Sequence, residues 1–190
     1  MGLKICQITS VDFTIKKFLL PLIDKLIEDG CDVTIICSDG PYIKDLQNSG
    51  YKIKIISISR SLNIFKHFIS LIHLFKFFKN NDFDVVHVHT PVASVLGRIA
   101  AKLAGVKYIL YTAHGFYFHE NMSKIRFNFY FYIEKFLANF TNIIFTQSKE
   151  DEITSVKYNL CNSKKIICIG NGVSLKKFNI DIKKQKIILR

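Results

Sequence analysis

Two apolar runs that each break at a histidine constrain this chain more than any other feature. One is Asp84-Val85-Val86-His87-Val88-His89-Thr90-Pro91, and the other is Tyr108-Ile109-Leu110-Tyr111-Thr112-Ala113-His114-Gly115. Short apolar runs rich in β-branched residues read as strands buried on both faces, as in a parallel sheet. A helical pattern over 92–103 joins them, which makes a βαβ unit. Open α/β sheets bind ligands at the carboxyl ends of their strands. His89 and His114 are therefore expected side by side at the edge where chemistry is done.

The rest of the chain repeats this rhythm. Strand patterns cover 3–9, 32–37, 52–58, 85–89, 107–112, 143–147 and 165–169. Helical patterns cover 15–27, 41–48, 62–79, 92–103, 122–140 and 150–159. Gly30 ends the first helix, and Pro21 inside it should produce a kink. The alternation predicts an α/β fold: a parallel sheet with helices on both faces. Residues 1–175 are expected to form one domain, with 176–190 as a linker and the start of a further, missing domain.

The 190 residues suffice for one full core, and 49% apolar with 22% charged residues describes a globular chain. The net charge of +12, from 27 Lys+Arg against 15 Asp+Glu, favours an anionic partner: phosphates, an anionic bilayer or nucleic acid. Nucleic acid is disfavoured, because the aromatics fall on helix stripes and not on strands beside basic residues. The five cysteines form no CxxC pair and read as small core residues of a reducing compartment. No signal peptide is expected. The greasiest stretch, 62–78, carries Lys66, His67, His73 and Lys76, so no membrane span is expected.

Several constellations are candidates for chemistry. His87, His89 and His114 form a conceivable metal site, but no placed carboxylate supports it, and hydrogen bonding to a substrate is the stronger reading. Of the three, His87 best fits a satisfied core histidine. The first strand-to-helix turn, Ser10-Val11-Asp12-Phe13-Thr14, contains no glycine, which excludes a GxGxxG dinucleotide site. Its polar residues cap the helix or meet a ligand. Arg60 follows the third strand at the same edge. In the helix over 62–79, Phe65, Phe68, Ile69, Ile72 and Phe75 make a core stripe, leaving Ile64, Leu71, Leu74, Phe77 and Phe78 surplus. In the helix over 122–140, Met122, Ile125, Phe129, Tyr132, Ile133, Phe136 and Phe140 make the stripe, leaving Phe127, Tyr130 and Phe131 surplus. Surplus aromatics beside Lys66, Lys76, Lys124 and Arg126 describe either interfacial helices facing a membrane or helices packed on a second domain.

Four motifs in order carry a family resemblance: His-Val-His-Thr-Pro at 87–91, Ala-Ser-Val-Leu-Gly-Arg at 93–98, Thr-Ala-His-Gly-Phe at 112–116 and Ile-Gly-Asn-Gly-Val-Ser-Leu-Lys-Lys-Phe at 169–178. Together they resemble GT-B glycosyltransferases of family 4, nearest the bacterial enzymes that build capsule, exopolysaccharide or O-antigen repeats. The resemblance implies a Rossmann-like sheet that is one half of a GT-B architecture, here the acceptor-binding half. It implies a retaining sugar transfer from a UDP- or GDP-sugar with no metal and no further cofactor. It assigns His114 the catalytic position beside donor sugar and phosphate, with Gly115 following it. His89, Thr90, Gly115, Ser10, Asp12 and Phe13 are expected to bind substrate, as is Arg60 from its place after the third strand. The relatives' Gly-Gly pair is absent from the first loop, which weakens a direct phosphate role there.

The expected partners are an anionic membrane surface on the cytoplasmic side, a polyprenyl-diphosphate-linked sugar acceptor, and a donor-binding half that is part of a longer product or a separate chain. The rival expectation is a non-catalytic Rossmann-like subunit that binds a partner or nucleic acid.

Overall fold

The computed structural model describes residues 2–61, 63–119 and 122–172. The expectations placed on 173–190, including the end of the fourth motif and the linker, lie outside the described residues. Seven strands appear where the sequence places them: β1 Lys4–Ile8, β2 Asp32–Cys37, β3 Lys52–Ile55, β4 Val85–His89, β5 Tyr108–Ala113, β6 Ile143–Thr146 and β7 Ile166–Cys168. All neighbours are parallel, in the order β3-β2-β1-β4-β5-β6-β7. The expected third strand ran to Ile58, but β3 stops at Ile55. Beyond it Ile56 still donates to the Cys37 carbonyl at 3.0 Å, and Ile56 and Ile58 turn inward into the core.

The helices are α1 Asp12–Thr14, a π turn over Ile15–Leu19, α2 Leu20–Glu28, α3 Ile43–Asn48, α4 Ile64–Lys79, α5 Pro91–Ala104, α6 Lys124–Ala138 and α7 Lys149–Lys157. The kink expected at Pro21 takes the form of the π turn just before it. Proline lacks an amide donor and its ring crowds the carbonyl four residues back, so the preceding turn widens. α5 has proline in its first turn and closes on Gly105 in the left-handed region, φ +82°. α7 is capped by Ser148 Oγ, which accepts from the Asp151 amide at 3.0 Å.

Two hydrophobic layers sandwich the sheet. One packs the first helical segment and α3 on β1 and β2, through Ile15, Leu19, Ile23, Ile43 and Leu46. The other packs α4, α5 and α6 on the opposite face, through Leu74, Phe78, Leu96, Ala100 and Phe131. α5 lies closest to the sheet, and Gly97 permits it: a Cβ there would sit 2.7 Å from Val88 Cγ1 and 3.4 Å from Ile8 Cδ1. The strand order reverses between β1 and β4. A crevice opens at such a switch point, outside the carboxyl ends of the strands.

Candidate functional site

The crevice is closed at its base by the ends of β1 and β4. The Ser10 amide donates to Thr90 Oγ1 at 3.1 Å, and the two hydroxyls lie 3.0 Å apart. Thr90 has φ +57° and ψ +143°, a conformation that a β-branched residue rarely adopts. Such strain costs about 1–3 kcal/mol and persists where neighbours over-determine it. Here the Ser10 bonds hold its side chain, and its carbonyl accepts the Ser94 amide at 2.8 Å, which starts α5.

The three histidines form one connected group. His87 and His89 project from the same face of β4, with ring centroids 4.2 Å apart. His87 Nε2 bonds Thr112 Oγ1 at 2.8 Å, so it is the satisfied core histidine anticipated, with a side-chain partner. His89 is also buried, at 1% exposure, and its Nε2 bonds Gln7 Oε1 at 2.8 Å. It therefore sits behind the surface, with the exposed His114 in front of it. His114 is exposed at the end of β5; its Nδ1 meets Gln147 Oε1 at 3.0 Å and its Nε2 lies 3.4 Å from His89 Nδ1. Gly115 follows at φ +114°, a turn that only glycine takes without strain.

Burial pushes the His87 imidazole down to about 3, with His114 nearby adding to the effect. It pushes His89 well below the ordinary range, again helped by the other two rings. His114 is lowered by burial against the opposing pull of its Gln147 bond. All three are neutral near pH 7. A neutral ring has one donor and one acceptor nitrogen. With both glutamines presenting oxygen, each ring donates to its glutamine, and two lone pairs face each other across the 3.4 Å gap. A proton on His114 Nε2, or a turned Gln147 amide, completes the chain Gln7–His89–His114–Gln147. A ligand that engages His114 Nδ1 must displace Gln147, the more accessible partner. Among the described residues no three His, Cys, Asp or Glu side chains converge in a way that holds a metal ion.

The first loop divides in role. Asp12 is 4% exposed and accepts the Tyr42 amide at 2.7 Å, with Gly40 packed against its carboxylate. It ties the loop to the β2–α3 connection, so a substrate-facing assignment does not fit its carboxylate. Phe13 is exposed and meets Phe18 edge-on at 6.2 Å. Arg60 is exposed in the β3–α4 connection. A cleft of ≈ 320 Å³ beside that connection is lined by Ser38, Ser57, Ser59, Lys66 and His73 together with Ile58 and Ile69.

Gln7, Thr112 and Gln147 were not anticipated. Gln7 had a legible signal, a polar residue in the middle of an apolar strand. The partners of the other two depend on register, which brings Thr112 opposite His89.

Most of the expected core stripes on α4 and α6 face outward, although Phe75 of α4 packs against the core as expected. α4 buries Ser70, Leu74 and Phe78, and exposes Ile64, Phe65, Phe68 and Ile69. α6 buries Phe131, Glu134, Leu137 and Ala138, and exposes Ile125, Phe129, Tyr132 and Phe136. The reason on α6 is Arg98 of α5, which is fully buried. Its Nη2 donates to both Glu134 oxygens at 3.0 and 2.9 Å, its Nε donates to the Ser94 carbonyl, and its guanidinium lies over the Tyr111 ring at 4.2 Å. Drawing Glu134 inward turns the aromatic stripe outward. An open apolar groove of ≈ 690 Å³ results between α5 and α6, lined by residues that include Val95, Ile99, Phe129, Tyr132 and Phe136. Lys66, Lys76, Lys124 and Arg126 are exposed around these faces. No helix among the described residues is long and apolar enough to cross a membrane.

Residues 4–148 match the family model described as glycosyl transferase 4-like. A UDP-Gal:alpha-D-GlcNAc-diphosphoundecaprenol alpha-1,3-galactosyltransferase of Escherichia coli is 35% identical over 148 residues, which is 77% of this chain and 38% of that protein. The capsular polysaccharide biosynthesis glycosyltransferase CapM of Staphylococcus aureus is 26% identical, over 84% of this chain and 42% of its own length. A glycosyltransferase structure from Rickettsia africae superimposes with a TM-score of 0.73 at 20% identity, over 98% of this chain and 48% of that one. Anabaena HepE, solved with UDP and glucose, gives 0.71 at 17%, over 99% and 50%. The chain thus spans half the length of these relatives or less.

Proposed function

This chain belongs to the glycosyl transferase 4-like family, and from that premise we propose that it is the acceptor-binding half of a retaining glycosyltransferase of bacterial surface-glycan assembly. The donor is a UDP- or GDP-sugar, held mainly by a second domain or a separate chain. The acceptor is a polyprenyl-diphosphate-linked sugar, like the GlcNAc-diphosphoundecaprenol for which the E. coli relative is named. The observation that carries the reading is the exposed His114 at the carboxyl edge, backed by buried His89 and Gln7 and flanked by the Ser10–Thr90 contact.

In this reading His114 meets the donor sugar and phosphate. Neutral at pH 7, it orients a hydroxyl or phosphate oxygen without carrying a net charge. His89 and Gln7 hold its ring. The peptide backbone around Ser10, Thr90 and Gly115 shapes the floor on which the acceptor hydroxyl approaches. Arg60 and the serine-lined cleft offer hydrogen bonds to the acceptor sugar.

The same reading seats the protein peripherally on the cytoplasmic face of an anionic membrane through the exposed apolar faces of α4 and α6. Each Lys or Arg near an anionic surface contributes about 1 kcal/mol, so Lys66, Lys76, Lys124 and Arg126 together make binding strongly salt-dependent.

The test is sugar transfer from labelled nucleotide sugar into solvent-extractable lipid, using the native gene product and any co-purifying chain. His114→Ala is expected to lower transfer about 100-fold or more. Full activity of that variant overturns the assignment. Sedimentation with anionic vesicles at low and high salt tests the membrane part, and equal, negligible binding to anionic and neutral vesicles overturns it.

A further inference from the structure

We infer that the α5–α6 groove holds the prenyl chain of the acceptor, with the diphosphate at the α6 start; this rests on the reading of the acceptor as polyprenyl-linked. Three observations carry it. First, the lining is apolar almost throughout, with Asn128 its one polar side chain besides the Tyr132 hydroxyl. A contiguous exposed apolar stripe of this kind marks a binding surface. Among the lining residues Phe129, Tyr132 and Phe136 are exposed, Val95 and Ile133 are half-buried and Leu137 is buried. The groove's ≈ 690 Å³ leaves room for a short run of five-carbon units.

Second, the groove is oriented. α5 starts at Pro91, directly after His89 and Thr90, and α6 starts at Lys124, after the segment that follows His114 and Gly115. Val95 and Ile125 therefore lie at the carboxyl edge of the sheet, and Phe136 and Leu137 at the far end. An amphiphile lying in the groove has its polar head on the side of His114.

Third, that head end is cationic. Lys124 and Arg126 are exposed in the first turn of α6, which contains no acidic residue. Cations there oppose the helix dipole, so the first turn pairs two side-chain charges with unsatisfied backbone amides, a combination suited to a diphosphate. A diphosphate joined to an isoprenoid tail matches both ends of the groove.

The chain contains no tryptophan, so Phe129→Trp places a single reporter on the groove wall. This variant of the full chain is titrated with geranylgeranyl diphosphate, geranyl diphosphate, inorganic diphosphate, non-ionic detergent below its micelle concentration, and electrically neutral vesicles without prenyl lipid. The expected result is a saturable blue shift with geranylgeranyl diphosphate, at least about tenfold weaker binding of the two-unit compound, and no shift with inorganic diphosphate. Ile99→Glu and, independently, the surface change Phe136→Gln each weaken binding about tenfold with unchanged far-UV circular dichroism. Lys124→Gln/Arg126→Gln weakens the diphosphate compounds and leaves geranylgeraniol unaffected.

The inference is overturned by binding that ignores chain length, by an equal response to detergent or to electrically neutral vesicles without prenyl lipid, or by a shift that appears with protein concentration alone and reports a second copy. Transfer to prenyl-linked acceptors that is insensitive to Ile99→Glu removes the groove from the account and leaves the glycosyltransferase reading standing. Groove binding without transfer to any prenyl-linked acceptor removes that reading instead.

Discussion

Replacing Glu134 with glutamine tests the account of how α6 is oriented. The Arg98 guanidinium is 0% exposed, and Glu134 takes both contacts from its Nη2. Nη1 already has no hydrogen-bond partner. Glutamine keeps the shape and one acceptor oxygen but removes the compensating charge, which leaves a cation inside the protein. Breaking a buried pair from one side costs about 3–5 kcal/mol. The Tyr111 ring 4.2 Å away and the Ser94 carbonyl still contact the guanidinium, so the lower end, about 3 kcal/mol, is expected. In a chain of this size that lowers Tm by about 6–12 °C. The assay is urea unfolding followed by far-UV circular dichroism at pH 7, with the slope compared between variants. Arg98→Met/Glu134→Leu removes both charges and is expected within about 1 kcal/mol of the parent, because an apolar pair needs no desolvation. A cost below about 1 kcal/mol for Glu134→Gln refutes the reasoning, as does a double variant at least as unstable as the single one. Either result means that apolar contacts alone set the orientation of α6.

Stability should also depend on pH through His87. Its folded value of about 3 lies below the unfolded 6.5, so the unfolded chain binds more protons between those values, and stability falls as pH drops through that window. The full effect is at most roughly 5 kcal/mol, and His87→Gln should flatten the decline in urea midpoint between pH 6.5 and 4; an unchanged decline removes His87 as its source. Gly97→Ala should cost about 1–3 kcal/mol, since the new methyl meets Val88 at 2.7 Å; a neutral melt means α5 shifts freely. Thr90→Gly should leave the melting point nearly unchanged, as relief of φ strain offsets the lost Ser10 bonds, whereas Ser10→Ala, which keeps the strain, should destabilise by about 1 kcal/mol. If both variants melt alike, the strain assignment is wrong.

The strands were legible because each is a short β-branched run closed by a turn residue, and that signal is local. The placement of His89 and His114 at one edge followed from two strands and one crossover helix. The inward faces of α4 and α6 were not legible. Both helices are apolar nearly all round, so periodicity points in no single direction. On α4 the small Ser70, bonded to the Ser57 carbonyl at 2.5 Å, marks the inner face. On α6 a single carboxylate, Glu134, decides the matter because its partner comes from α5, 36 residues earlier.

The sequence by itself determined the α/β class, the order of elements and the sheet edge that carries the histidines, since these depend on hydrophobic period and turn chemistry along the chain. Only the tertiary structure decided that His89 stands behind His114, that Asp12 ties two loops together, and that the aromatic stripes of α4 and α6 face outward. Those outcomes depend on register between β1, β4 and β5 and on one buried ion pair between helices. Such contacts join residues far apart in the chain, and no local pattern encodes them.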